Sequence, residues 1–406
     1  MRVSKGARWA LVVAAAAALV FAATAAARTH AAAVKKPIVI GWAHDSSGPM
    51  APFDGPALAA AQIQIAKINK KGVLGRKIKL LTCDTQKDDK TASKACADKL
   101  ISQGAKIIFT TCDVDLASPV VQDSINHGLL TIAPCIGTDQ MGPKRFGSKG
   151  KLAFSFGNVA QDEGSAMAQL AWNKGWKTAD LAKDEAIVYF KAVVSAFKAR
   201  FTQLGGKIVY ETTYTDSAFG GNNVQNAVSG INAHKAAVVV TSTAGAFGSL
   251  GPFVTGMRAA GNKTPILNSW AGDGTYWVGN LNPQVTNYWY VTYANAFGHD
   301  PSKAVNKLRN QLPPQLRGTG GFITGPAAID GVVTAIKRTH GSLVGSKLAA
   351  VMQKFNHVPT ISGNVSFSKK LHSVFGREYR VIEINNNVPI QKGTIVAKKV
   401  PNSPDS

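Results

Sequence analysis

Three groups of residues have types and spacings that chemistry could use. Cys83, Cys96, Cys112 and Cys135 all fall in the first third of the 406-residue chain. No CxxC pair or clustered histidine accompanies them, so a zinc site is not indicated, and in an oxidising compartment one or two disulfides are expected. Four thiols allow three full pairings, and one thiol could stay free. Ser195-Ala196-Phe197-Lys198 has the Ser-x-x-Lys spacing of acyl-transfer enzymes, but it falls inside a helical pattern without companion motifs. Gly245-Ala246-Phe247-Gly248-Ser249-Leu250-Gly251 follows a strand and opens a helix. A dinucleotide fingerprint needs closer first glycines and an acidic residue about twenty positions on, and neither is present. The eight histidines are scattered, with no pair at metal spacing. The chain is therefore read as a non-enzyme without cofactor or metal, a secreted hydrolase being a remote alternative.

The elements that position these residues begin with Ile38-Val39-Ile40, a short apolar run bounded by turn residues, which reads as a strand buried on both faces. Apolar positions Leu58, Ala61, Ile65 and Ile68 then recur with helical spacing from Pro56, and Gly72 stops the helix. Ile78 to Leu81 returns as a parallel strand. This order places the Ser46–Phe53 loop at the carboxyl edge of a sheet, where open α/β folds bind ligands. Strand and helix alternate again through Lys106–Thr110, a helix opened by Ser118-Pro119, and Leu129–Ala133. Cys112 and Cys135 thus follow strands and approach the same edge.

Lys151 to Gly157 reads as a crossing, after which the alternation restarts at Gln161. Tyr288 to Tyr293 reads as the return, and Val365–Phe367 and Tyr379–Ile384 as closing strands of the second half. The resulting division is residues 34–155 and 288–358 for a first lobe, 156–287 and 359–399 for a second, and 400–406 for a tail. The fold class is α/β, two doubly wound lobes with a ligand cleft between them.

Arg2, Lys5 and Arg8 precede an apolar run from Trp9 to Ala27, which reads as an export signal within residues 1–33, cleaved near 27 or 33. A retained membrane helix is the alternative. No cysteine precedes Cys83, so a lipid-anchor site is not expected, and the protein should lie in the periplasm or on the outer face of the cytoplasmic membrane. Forty-six basic against 23 acidic residues give a formal charge of +23. That excess favours an anionic envelope surface. The lysines are dispersed rather than clustered, which argues against nucleic acid.

With this order of loops, helices and strands in place, the chain resembles the leucine/isoleucine/valine-binding protein family, the type I periplasmic binding proteins of ABC importers. The residues carrying the likeness are Ile40-Gly41, Ser47-Gly48-Pro49, the run Ile68-Asn69-Lys70-Lys71-Gly72-Val73-Leu74-Gly75-Arg76-Lys77-Ile78, and Asp84 with Lys99-Leu100-Ile101. Ser118-Pro119, Leu204-Gly205-Gly206-Lys207 and Met257-Arg258-Ala259-Ala260-Gly261 extend it. The resemblance implies three crossovers, lobe closure on a small-molecule ligand, a monomer, and permease subunits as partners. A receptor component that senses a ligand with the same fold is the alternative.

Carried over by position, the first-lobe contacts fall on Val114, Asp115, Cys135, Gly137 and Thr138, and the second-lobe contacts on Tyr189, Ala246 with Phe247, and Trp270. Amino-acid binders of the family place an acidic residue where this chain has Trp270, with Asp273 three residues on, and a pocket tyrosine where it has Ala246. Trp42, Tyr189, Phe247, Trp270, Tyr276 and Trp277 would suit a flat apolar ligand, with Ser47 or Thr138 holding a polar end. Asp113 and Asp115 have a second reading as helix caps. The ligand is expected to be an amino acid, an amide, or an aromatic or organic acid.

Overall fold

The computed structural model describes residues 35–401. The export segment and most of the tail lie outside them. Strand β1 (Ile38–His44) pairs in parallel with β2 (Ile78–Asp84) on one side and β3 (Ile107–Phe109) on the other. β4 (Leu130–Ala133), β5 (Ala153–Asn158) and the short β13 (Ser373–Val374) extend the sheet, again in parallel. The first sheet has the order β13-β5-β4-β3-β1-β2.

The second sheet repeats the plan. β6 (Thr178–Asp184) lies between β7 (Lys207–Tyr214) and β8 (Val238–Ser242), followed by β9 (Ile266–Asn268) and β10 (Tyr288–Thr292), all parallel. β14 (Tyr379–Asn385) and β15 (Val388–Ile395) close it antiparallel. In each sheet the first strand of the half is flanked by the second and third. That reversal opens a crevice at the carboxyl ends, between β1 and β3 and between β6 and β8. β11 (Val358–Thr360) and β12 (Gly363–Val365) form a separate hairpin.

Strand membership revises three expectations. Tyr288–Thr292 is a ladder strand of the second sheet, pairing with β9 and β14, so the return crossing begins after it. Its Tyr-Trp-Tyr-Val-Thr run is buried throughout, as a central strand demands. Ser373–Val374 rejoins the first sheet although it lies inside the stretch assigned to the second lobe. Residues 363–365 pair in the hairpin rather than in that lobe's sheet.

Two helix starts also differ. The first helix spans Ala51–Asn69 with Pro56 inside it. The helix Val114–Asn126 begins before Ser118-Pro119, because the Asp113 carboxylate accepts from Asp115 N and Leu116 N and caps it. Gly72 behaves as expected, with φ +79° closing the first helix.

Three crossovers join the sheets, after β5, after β10 and between β13 and β14. They are knotted by buried polar groups. Asn158 N donates to Tyr293 Oη at 3.2 Å, and Asn158 Nδ2 donates to Asp162 Oδ2 at 3.0 Å and to Tyr379 Oη. Among the described residues no helix is long and apolar enough to cross a membrane.

Candidate functional site

The carboxyl-end loops of both sheets meet across a cleft. The first lobe contributes Met50 and Phe53 from the entry to helix Ala51–Asn69, Cys112 and Asp113 after β3, and Gly137 after β4. The second contributes Ile187, Tyr189 and Phe190 at the start of helix Val188–Gln203, Ala244 and Phe247 after β8, and Trp270 and Ala271 after β9. The space they enclose is only about 20 Å³. That is room for one water, so the lobes stand nearly shut.

Aromatic rings close the gap. Trp270, 4% exposed, stacks on Tyr293 with centroids 4.8 Å apart and meets Phe53 of the opposite lobe edge-on at 5.2 Å. Such pairs add about 0.5–1.5 kcal/mol each beyond their burial. Tyr189 packs closely against the backbone of the other lobe at Gly137. A Cβ added to Gly137 would stand 2.6 Å from Tyr189 Cε2, so glycine permits the approach.

Both second-lobe rings are fixed by one buried acid. Trp270 N donates to Glu163 Oε1 at 2.6 Å and Tyr189 Oη donates to Glu163 Oε2 at 2.8 Å. Burial pushes the Glu163 carboxyl up to about 8, against the pull of the Trp270 amide and the Tyr189 hydroxyl.

The remaining carboxylates near the cleft are committed to the protein. Asp113 caps its helix, and burial lifts it to about 7. Asp115 takes Arg145 Nη1 at 2.8 Å on one oxygen and Val188 N at 2.8 Å on the other. It thus caps a helix of the opposite lobe. Asp273 accepts from Thr292 Oγ1 at 2.6 Å and Gly320 N at 2.7 Å, and burial raises it to about 7. Both of those donors reach Asp273 Oδ2, so Asp273 Oδ1 is a buried acceptor with no hydrogen-bond partner, as Trp270 Nε1 is a buried donor with none.

Of the residues expected to hold ligand, Gly137, Tyr189, Phe247 and Trp270 line the cleft. Asp115 and Asp273 serve contacts within the protein instead. Val114 is buried among core side chains. Thr138 receives Gln140 N on its hydroxyl and Ser373 Oγ on its carbonyl, and Ser47 N donates to Asp45 Oδ1. Ala246 lies beside the lining residue Phe247 without lining the cavity itself. Trp42 is fully buried in the first lobe, 4.7 Å from Phe109, and Trp277 packs on Tyr288 at 5.1 Å. Tyr276 meets Phe53 edge-on at 6.5 Å.

The cysteines pair as Cys83–Cys96 and Cys112–Cys135, leaving none free. Cys135 is wholly buried, and its bond to Cys112 ties together the two first-lobe loops that edge the cleft. Lys198, of the Ser-x-x-Lys motif, is exposed and ion-paired with Glu211 at 2.5 Å.

Sequence reasoning missed Met50, Phe53, Ile187, Phe190 and Glu163. Phe53 was legible, since it sits in the Ser46–Phe53 loop already assigned to the sheet edge. Glu163 carried no distinguishing signal, because acids in a helix's first turn are ordinary.

A family model described as periplasmic binding protein matches residues 37–391. No curated protein sequence matches. Among solved structures, a solute binding protein of an ABC transporter from Rhodopseudomonas palustris, in complex with p-hydroxybenzoic acid, has a TM-score of 0.76 at 16% identity, covering 91% of this chain and 100% of that one. The leucine binding protein LivK from Thermotoga maritima gives 0.75 at 17%, covering 88% and 99%. The branched-chain amino acid transporter substrate binding protein LivJ from Streptococcus pneumoniae, in complex with isoleucine, gives 0.73 at 17%, covering 89% and 99%.

Proposed function

Because the chain belongs to the periplasmic binding protein family, we propose that it is the extracytoplasmic substrate-binding component of an ABC importer, carrying a small aromatic or organic acid in its interlobe cleft to a permease. The observation that carries the ligand class is the lining itself. Phe53, Tyr189, Phe190, Phe247 and Trp270 present ring faces and edges. Asp113, Asp115, Glu163 and Asp273 are each taken by protein donors. Among these four carboxylates Asp273 Oδ1 is the buried oxygen left without a donor, whereas a ligand ring finds stacking partners on both sides of the cavity, and Trp270 Nε1 is a buried donor left without an acceptor.

Mechanism follows from the closed geometry. The ligand enters an open form, seats between the rings of the two lobes, and is buried as the crossovers flex. Burying about 150 Å² of ligand apolar surface contributes on the order of 4 kcal/mol. Closure is favoured only by contacts the ligand makes with both lobes at once, which is how bound and free forms become distinguishable to a permease.

The test is a thermal-shift screen of the purified protein against aromatic acids, aliphatic organic acids, amides and amino acids. The expected result is a raised melting temperature with an aromatic acid. A shift with branched-chain amino acids alone would overturn the ligand class. For the importer role, permease and ATPase genes beside this one are expected; a neighbouring kinase gene and a captured membrane receptor would favour the sensing alternative.

A further inference from the structure

A second cavity, of about 910 Å³, lies away from the cleft, between the β11–β12 hairpin and the third crossover. Its charges are one-sided, with Lys354, Arg377 and Arg380 against Glu378, and His357 lines the same wall. Arg380 is answered by Asp300, at 3.0 Å from both Nε and Nη2, and by Glu378 at 3.2 Å. Arg377 is not answered in this way.

Arg377 is 4% exposed, and only its Nη2 is engaged, donating to Phe156 O at 2.9 Å and Ser362 Oγ at 3.1 Å. Its Nε and Nη1 have no hydrogen-bond partner. The acid that faces it electrostatically is Asp162, already bound by Asn158 Nδ2 and held near 7 by burial. A buried guanidinium with three of its five N–H donors unmet is costly, and an oxyanion is the group that meets such donors best; Nε–H and Nη1 point to different sides of the guanidinium, so each would hold an oxygen singly. Phe367 and Phe375 on the same wall offer apolar surface to whatever body carries the anion.

We propose that this cavity is a second ligand site, taking a small organic anion whose phosphate or carboxylate group sits on Arg377 and enters past the exposed Lys354 and His357. The placement gives the site leverage. Arg377 belongs to the third crossover, holds through Phe156 O the strand β5 that leads into the first, and lies 5.1 Å above the ring of Tyr293 in the second. An anion drawn onto Arg377 therefore acts where the lobes pivot. This differs from the cleft reading in place, charge and side chains.

Isothermal titration with inorganic phosphate and, separately, citrate, each against chloride at matched ionic strength, tests it. Saturable one-to-one binding of either anion is expected, and which of the two binds tells phosphate from carboxylate. Affinity should fall at least tenfold in Lys354→Ala/His357→Ala, whose exposed side chains can be removed without disturbing the core, and be abolished in Arg377→Gln. No saturable binding of either anion would overturn the proposal, as would binding undiminished in the double variant; that variant decides the matter if Arg377→Gln does not fold.

Discussion

The two lobes share one strand plan yet meet the cleft with different chemistry. The first presents a backbone surface at Gly137, the Cys112–Cys135 tie and the Asp113 cap, with Phe53 its one aromatic ring at the cavity. The second presents Tyr189, Phe190, Phe247 and Trp270. Topology decides where a crevice opens, and it does so identically in both halves. Side chains decide what enters. In the proposed role, the ring-lined wall would be the one that reads ligand shape, against a wall built mostly of backbone.

The contrast breaks most sharply at Trp270. Trp270→Ala removes a ring packed on both Phe53 and Tyr293. It should weaken ligand binding at least tenfold, about 1.4 kcal/mol, measured by titration calorimetry. Stability in urea should fall by about 3–5 kcal/mol, as for other buried tryptophans, with the fold retained. Tyr189→Ala should also cost at least tenfold in affinity. Unchanged affinity in both variants would mean that the second lobe does not read the ligand.

Gly137→Ala tests the first lobe in the opposite sense, by adding rather than deleting. Its Cβ would press on the Tyr189 ring, which Glu163 holds in place. Overpacking of this kind costs about 1–3 kcal/mol, here levied on the closed form alone. A larger radius of gyration by solution scattering and weaker binding are expected together. If neither changes, the lobes do not close through this contact.

The aromatic side of the cleft was easier to read in sequence than the polar side. Phe247 and Trp270 stand just after the apolar strands β8 and β9, so type and position agree, while Tyr189 opens the helix Val188–Gln203. Asp115 and Asp273 stand in equally plausible loops, but whether an acid meets ligand or a backbone amide depends on what the other lobe brings, which no local pattern records. β6 escaped notice for a related reason. Thr178-Ala-Asp-Leu-Ala-Lys-Asp184 has low strand propensity, yet it is a central strand because its neighbours bury it. Tyr288–Thr292 was recognisable as a strand, but which sheet it joins is a question of pairing, not of propensity.

A smaller effect is expected at the interlobe cap. Asp115→Ala removes the acceptor of Val188 N, and loss of a cap costs about 0.5–2 kcal/mol, again from the closed form. Asp115→Asn keeps an acceptor and should bind ligand nearly as the parent does. Arg145→Ala should matter little, since it strips only a partly exposed ion pair within one lobe. Equal losses in all three variants would show that the charge, rather than the bridge between lobes, is what counts.

The mildest expected effect concerns the acid behind the rings. In the folded protein Glu163 stays protonated up to about pH 8, against an ordinary value of 4.5. The folded state therefore binds more protons than the unfolded chain across that window, and stability falls as pH rises through it. Asp113, Asp162, Asp184 and Asp273, raised to about 7 from 3.8 by burial, act in the same direction but finish earlier. Between pH 7 and 8 the decline should therefore belong to Glu163 together with Asp54, whose carboxyl burial also lifts well above its ordinary value. Glu163→Gln cannot ionise, yet its amide oxygen can still receive one of the two donors. Melting temperatures taken at intervals from pH 5 to 9 should fall for both proteins up to pH 7 and then fall less steeply in the variant. A slope that persists unchanged in Glu163→Gln would place the titration elsewhere, and would leave the second lobe's rings held by packing rather than by a protonated acid.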